Sequence, residues 1–430
     1  MPAWQGSNKF FMSQSIRLWT SLGLAVSVSM AAAVSLGMTR FAYALLLPPM
    51  REDLSWTYTL AGAMNTFNAL GYLVGALLTP WALKRWGAVR VLIVGSVLAS
   101  LLMAMTGFFT QALYLLIQRF LAGVASAAVF VSGGLLAARL GAHLPSQSGL
   151  LLGIYYGGTG WGIVISALCV PAAIALSAAH HAQHTWSWAW WCLAFVCAII
   201  SVALYLIRSH LNHWMPELST AAPAPSNEHQ ASLPTTTLSA PSQPAWRVWT
   251  PGLLGYGLFG VGYIGYMTFV VAVLREQGAP SANITFFYAA LGLAVVASSR
   301  IWAGLLNHFK GGQALAILNA LLSVATLIPA LTSAWPAMLL SGILFGGVFL
   351  SVVASTTAMV KHNLPASQWA SGISAFTVVF AVGQIVGPTV VGWIADGPGG
   401  LQRGLVFSAA ALLLGALVAW QQKPLQSQTS

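Results

Sequence analysis

The sequence predicts an all-α integral membrane protein, with twelve transmembrane helices arranged as two six-helix pseudo-repeats. Three observations predict it. Of 430 residues, 58% are hydrophobic and only 5% are charged. Soluble domains carry about 25% charged residues, so a water-facing surface cannot be made from this composition. Twelve apolar runs can be counted, and most reach the ~20 residues a spanning helix needs. A polar stretch separates the sixth run from the seventh, and short motifs recur at matching places on either side of it.

Run 1 covers residues 18–49. It follows Lys9 and Arg17, is longer than a signal-peptide core, and is not closed by a small-residue cleavage site, so it is expected to stay in the protein. Its far part, Gly37–Leu54, reads GMTRFAYALLLPPMREDL and places Arg40 ten residues before Met50. At 1.5 Å per residue that is about 15 Å, roughly half of the ~30 Å hydrocarbon core. An arginine at that depth costs several kcal/mol unless it faces protein or water. The rest of the chain is therefore expected to build a polar interior around it, and Tyr43 lies in the same stretch.

Run 2, residues 57–82, carries Asn65, Asn68, Tyr72, Gly75 and Thr79 at three- and four-residue steps, which puts them on one helix face. Such a face lines a cavity or packs as a small-and-polar seam. Runs 3 and 4 cover 88–110 and 112–138, and Arg119 sits some seven residues into the latter. Run 5, residues 148–177, has Tyr155, Tyr156 and a glycine ladder; run 6 covers 187–207. The stretch Ser209–Ala245 is rich in Pro, Ser, Thr and Ala and reads as a solvated linker. The expected organisation is a half at 1–208, a linker at 209–246 and a half at 247–430. Run 7, residues 249–273, aligns with run 1 through Met267-Thr268-Phe269 against Met38-Thr39-Arg40. The mid-span charge is thus present in one half only, which suits an asymmetric site. Run 7 also carries Tyr256, Tyr263 and Tyr266. Runs 8 to 12 cover 284–306, 313–332, 335–359, 369–394 and 402–420; Arg300 lies near the end of run 8, where it can snorkel, and Gln384 lies in run 11.

Two paired motifs support duplication. Arg17-Leu-Trp19-Thr20 opens run 1 and Arg247-Val-Trp249-Thr250 opens run 7; Leu144-Pro145-Ser146-Gln147 precedes run 5 and Leu364-Pro365-Ala366-Ser367-Gln368 precedes run 11. Charge predicts orientation. With the N-terminus in the cytoplasm, eleven of the 17 Lys and Arg fall on the cytoplasmic side, three on the outer side and three inside spans. That bias fits cytoplasmic termini and a cytoplasmic linker. The net charge of +11 is scattered over run ends, which argues against a nucleic-acid partner.

Shorter motifs carry a family resemblance. The loop after run 2 reads Pro80-Trp-Ala-Leu-Lys84-Arg85-Trp-Gly87-Ala-Val-Arg90, and the loop after run 8 reads Gly304-Leu-Leu-Asn307-His308-Phe-Lys310-Gly311. Run 4 has Arg119-Phe-Leu-Ala-Gly123, and run 11 has Gly383 followed by Gly387-Pro388. With two six-span halves, this resembles the major facilitator superfamily (MFS). Arg85, Gly87 and Arg90 match the loop signature, but Lys84 stands at its acidic position, and Asn307 replaces the acid in the second copy. RFAYALLLPPMREDL followed by Ala61–Tyr72 resembles the bacterial YbfB-type branch. The resemblance implies an inner-membrane transporter that alternates access between two faces. It makes Arg119 a cavity or proton-relay residue, and Lys84, Arg85, Gly87, Arg90, Asn307 and His308 a gating loop motif.

The candidate substrate-binding residues are Arg40, Tyr43, Asn65, Asn68, Tyr72, Arg119, Tyr155, Tyr263, Tyr266 and Gln384. The six acidic residues, Glu52, Asp53, Glu217, Glu228, Glu276 and Asp396, all lie in loops, in the linker or at span ends. Basic groups without acidic partners favour a small anionic organic solute; export of hydrophobic drugs is the alternative, from the aromatic-rich spans. An enzyme would need catalytic carboxylates, a Ser/His set or metal motifs within spans, and a channel a selectivity filter. Cys169, Cys192 and Cys197 have no metal spacing, and His180, His181 and His184 fall in a loop. No catalytic residue, metal or cofactor is expected. The expected partners are a small-molecule substrate and the lipid bilayer, with the protein a monomer.

Overall fold

Small residues set how closely the spans approach, and the approach distances fix the architecture. The computed structural model describes residues 22–143, 147–214, 246–365 and 368–425. Within them the chain is helical, with no strand among the described residues. Twelve helices are long and apolar enough to cross a membrane. Spans 1 to 6 are Leu22–Asp53, Tyr58–Trp86, Ala88–Thr106, Ala112–Ala142, Gly149–Ala179 and Thr185–Leu206. Spans 7 to 12 are Arg247–Glu276, Ser281–His308, Gln313–Leu331, Trp335–Asn363, Ser371–Ala395 and Gly400–Trp420.

The predicted runs find their spans, with shifted ends. Span 1 passes Pro48 and Pro49 and continues to Asp53. Span 3 stops at Thr106, because Gly107 and Phe108 turn their N–H groups to Ala104 and Met105 in a tight final turn. Span 8 breaks at Trp302, and a short helix, Ala303–His308, completes it. A short helix also runs from Arg208 to Trp214, where the linker was expected to begin. Linker residues 215–245, the Arg17-Leu-Trp19-Thr20 motif, and residues 144–146 and 366–367 of the two Leu-Pro loops lie outside the described residues.

Each half is sewn by glycines against neighbouring backbones. The halves meet along two seams, span 2 on span 11 and span 5 on span 8. A Cβ on Gly62 would sit 2.2 Å from Pro388 O, and one on Gly392 would sit 2.2 Å from Tyr58 O. In the second seam, a Cβ on Gly160 would sit 2.4 Å from Gly292 O. Without an oil–water difference to drive them together, helices in lipid associate through such close packing and through hydrogen bonds.

The polar contacts between halves are lopsided. Among the described residues they all lie at the level of Arg40 or toward the end carrying Asp53 and Asp396. The opposite end, carrying Lys84, Arg85, Lys310 and Lys361, is referred to below as the basic end.

Candidate functional site

Span 1 is irregular where its charge sits. Residues Ala33–Phe41 form a wide π-turn, and Ala42 N–H bonds Gly37 O at 3.0 Å. Such segments in a helix often mark functional sites. Farther on, Leu45 N–H bonds Ala42 O at 3.0 Å, and Phe41 O accepts the Tyr288 hydroxyl of span 8 at 2.6 Å. Arg40 stands in this segment with only 3% exposure.

Its partners are neutral and come from both halves. Arg40 Nη2 donates to Gln384 Oε1 of span 11, and Tyr263 of span 7 donates to the same oxygen at 2.8 Å. The guanidinium carbon lies 5.7 Å from the Tyr72 ring centroid in span 2. Arg40 Nε is buried with no partner. Behind Tyr263, Phe380, Phe259 and Tyr256 stack ring on ring. On the other half, Phe130 links Tyr72 with Tyr155 and Tyr156. Arg40 thus stands between two aromatic groups, at the boundary of the halves, and no described carboxylate pairs with it.

Arg119 is held differently. Its Nη1 donates to Thr39 O at 2.8 Å and its Nη2 to Asn65 Oδ1 at 2.9 Å. Asn65 passes the link on, donating to Thr268 Oγ1 at 2.8 Å. The guanidinium also sits 4.9 Å from the Tyr43 ring and 5.7 Å from the Trp190 ring. Arg119 therefore ties spans 4, 1 and 2 together and, through Asn65, reaches span 7. Thr268 was not a candidate, although its alignment with Thr39 was the signal that could have found it.

Several candidates are occupied by packing. Asn68 is fully buried and donates to Arg119 O at 3.1 Å, in the seam where Gly71 and Gly75 meet span 4. Tyr43 donates to Ala61 O at 2.9 Å, and Tyr155 to Phe130 O at 2.6 Å. Tyr266 pairs with Ser341 at 2.7 Å and stacks on Phe345 with centroids 4.0 Å apart. The structure brings Arg40, Tyr72, Tyr263 and Gln384 to one place. It sets Asn65 and Arg119 beside them as a clamp, and keeps Asn68, Tyr43, Tyr155 and Tyr266 in the walls behind. Tyr156, outside the candidate set, is 40% exposed and packs edge-on against Tyr155 and tilted against Phe130.

At the Asp396 end the halves are latched. Asp396 accepts from Tyr58 N at 2.7 Å and from Thr59 N and Oγ1 at 2.8 and 2.6 Å, capping span 2 from the other half. Burial alone would raise its pKa. The Thr59 and Tyr58 donors and the nearby Arg51 charge outweigh it and hold the carboxyl below its usual value. Tyr58 also donates to Glu276, and Arg275 lies 3.8 Å from Glu52. The His cluster resolves into a loop contact. His184 Nδ1 is 2.6 Å from Asp53, which also accepts Trp186 Nε1 at 2.6 Å, and no metal-binding group occurs among the described residues.

The family described as uncharacterised MFS-type transporter YbfB matches residues 32–420. The chain belongs to the major facilitator superfamily. No curated protein sequence matches the chain significantly. Among solved MFS structures, a bacterial homologue of the human lysosomal transporter Spinster, inward-facing and occupied, superposes with a TM-score of 0.65 at 15% identity, covering 92% of this chain and 95% of that one. The nucleoside transporter NupG gives 0.63 at 14% identity, with 94% and 99% covered. FucP in its outward conformation gives 0.58 at 14% identity, with 93% and 97% covered.

The MFS loop motif occupies the basic end. Gly87, with φ of 77°, closes span 2 and lets the chain turn directly into span 3. Lys84, Arg85 and Arg90 are exposed around it. In the second copy Asn307 and His308 are exposed, while Lys310 O is held by Asn363 Nδ2 at 2.6 Å. No described carboxylate meets either copy, so the usual acidic relay of this loop is missing from both.

Proposed function

We propose that this MFS transporter carries a small anionic organic solute by alternating access, with Arg40 as the group that binds the anion. One observation carries the reading: Arg40 is buried at the boundary of the halves, and its terminal nitrogen meets only a neutral partner, Gln384 of the other half. A buried charge without a counter-ion is costly, and a solute carboxylate or phosphate would neutralise it with charge-assisted hydrogen bonds. Tyr72, Tyr263 and Gln384 would orient the solute, and the ring stacks would face its apolar part. Arg119 Nε is likewise unpartnered, but Arg119 is the less suitable anion site, since both of its terminal nitrogens already donate to groups of its own half.

The charge bias supports an orientation with both termini and the linker in the cytoplasm, and the protein is proposed to work as a monomer in a bacterial inner membrane. In that orientation the latched Asp396 end faces outward, and the solute reaches Arg40 from inside. Carboxylates in the described spans occur only near span ends, at Glu52, Asp53 and Glu276. Exchange or uniport of the anion is therefore favoured over a proton carried by a mid-span acid. The stacked rings around Tyr263 support the second reading, efflux of hydrophobic compounds.

A thermal-unfolding panel separates the two, because a ligand of the native state raises its stability. The panel pairs carboxylates with their uncharged amides and adds hydrophobic cations. Stabilisation by carboxylates and not by their amides is expected. Stabilisation by the hydrophobic cations alone would replace the anion reading with the efflux one.

A further inference from the structure

Five cations converge at the basic end of the N-terminal half, and the binding site described above uses none of them. Lys84 and Arg85 come from the end of span 2, Arg90 from the start of span 3, Arg139 from the end of span 4, and Arg208 from the helix that follows span 6. Together they line a cleft of about 670 Å³ with no acidic residue in its wall. Like charges drawn this close repel one another, and none of the five pairs with a described carboxylate. Arg208 is stacked on the Tyr205 ring at 3.7 Å and donates to Tyr205 O at 2.9 Å, which fixes its position.

A second feature points to an anion. Span 3 begins inside the cleft at Ala88, and Gly87 before it supplies no side-chain cap. The first N–H groups of that 19-residue helix therefore add their partial positive charge to the five cations. A third feature points to lipid. One wall runs down span 3 from Arg90 to Val94, about 6 Å deeper along the helix, and Val94 is 59% exposed on a membrane-spanning surface. Trp86 and Tyr205 also border the cleft and are exposed, and Trp81 packs edge-on against Trp86. Such aromatics sit at the level of lipid headgroups. A soluble phosphate has no use for the apolar wall; a phospholipid uses both parts.

We propose that this cleft holds the headgroup phosphate of an anionic phospholipid, with an acyl chain lying along Val94. Every residue of the site belongs to the N-terminal half, so the lipid stays bound whichever way the two halves rock. The equivalent loop of the C-terminal half carries Asn307, His308 and Lys310 where the N-terminal loop has Lys84, Arg85 and Arg90.

The test is native mass spectrometry of the full chain in neutral detergent, titrated with phosphatidylglycerol or with phosphatidylcholine. Preferential retention of phosphatidylglycerol is expected, and it should weaken as salt rises. Replacing Arg90→Gln and Arg139→Gln together should weaken it by about tenfold or more, since each basic group near an anionic membrane surface adds to the attraction. Arg90→Lys with Arg139→Lys should keep most of the binding, and Lys310→Gln all of it; these variants guard against a loss that reflects misfolding. Equal retention of the two lipids would overturn the proposal, as would undiminished phosphatidylglycerol binding in the Gln pair. Glycerol 3-phosphate that occupies the site while phosphatidylglycerol adds nothing would give the cleft to a soluble phosphate. Binding of phosphatidylglycerol only after Glu217→Gln and Glu228→Gln would give it to the linker's own carboxylates. Either result would also overturn the lipid assignment.

Discussion

Two arginines buried in the same membrane interior are held to different degrees. Arg119 meets a carbonyl and an amide with its two terminal nitrogens and lies against two aromatic rings. Arg40 has one terminal nitrogen on Gln384, and the Nε of each arginine is buried without a partner. The difference predicts different mutants. Arg119→Gln leaves Thr39 O and Asn65 Oδ1 buried without their donor, so it should destabilise the fold by about 2–4 kcal/mol. Arg119→Lys should recover only part of that, because a single ammonium does not reproduce the fork. Thermal unfolding in detergent measures both, and an Arg119→Gln protein as stable as the parent would remove the clamp from the account. The sequence made Arg40, Arg119 and Gln384 visible, as polar groups in apolar runs. It did not pair them. Arg40 and Gln384 are 344 residues apart, and nothing local in either run specifies the other. Asn68 shows the reverse limit. Its spacing put it on a polar face, but spacing alone could not say that this face meets span 4.

At the scale of elements, the spans were legible because each must bury or expose some twenty apolar residues in lipid. The irregular parts were not legible. The π-turn at Ala33–Phe41 and the break at Trp302 leave no mark in the periodicity, and their tertiary partners, Tyr288 on Phe41 O and Gly347 O on Trp302 Nε1, are distant in sequence. Glycine carries the seams between halves. In the span 2 to span 11 seam, Gly62 and Gly392 each bring a backbone carbonyl to where a Cβ would stand. Gly392→Ala should therefore push span 11 off Tyr58 while leaving each half folded, and loosen the Asp396 latch. Spin labels at Glu52 and Arg275, in a background with the three cysteines replaced, report the spacing of the halves there. Longer and broader distances are expected in Gly392→Ala. A distribution identical to the parent's would mean that the seam does not hold that end shut.

For the whole molecule, composition and the repeat were sufficient to read two six-span halves, and the charge bias supplied an orientation. The orientation is open to direct test. A phosphatase reporter that works only outside the cytoplasm should be silent when fused at Glu228 and active when fused at His181; the reverse pattern would invert the protein. What the whole-molecule reading asks of the site is simple. In the proposed function the N-terminal half supplies the cation, both halves supply neutral partners, and an anionic solute between them would complete the charge. The most direct measurement is the affinity of purified protein for the carboxylate that stabilises it best, in the parent, Arg40→Lys and Arg40→Ala. The account predicts that Arg40→Lys weakens binding, because the charge remains without the bidentate fork, and that Arg40→Ala abolishes it while the protein stays folded. Parental affinity in a folded Arg40→Ala protein would contradict it.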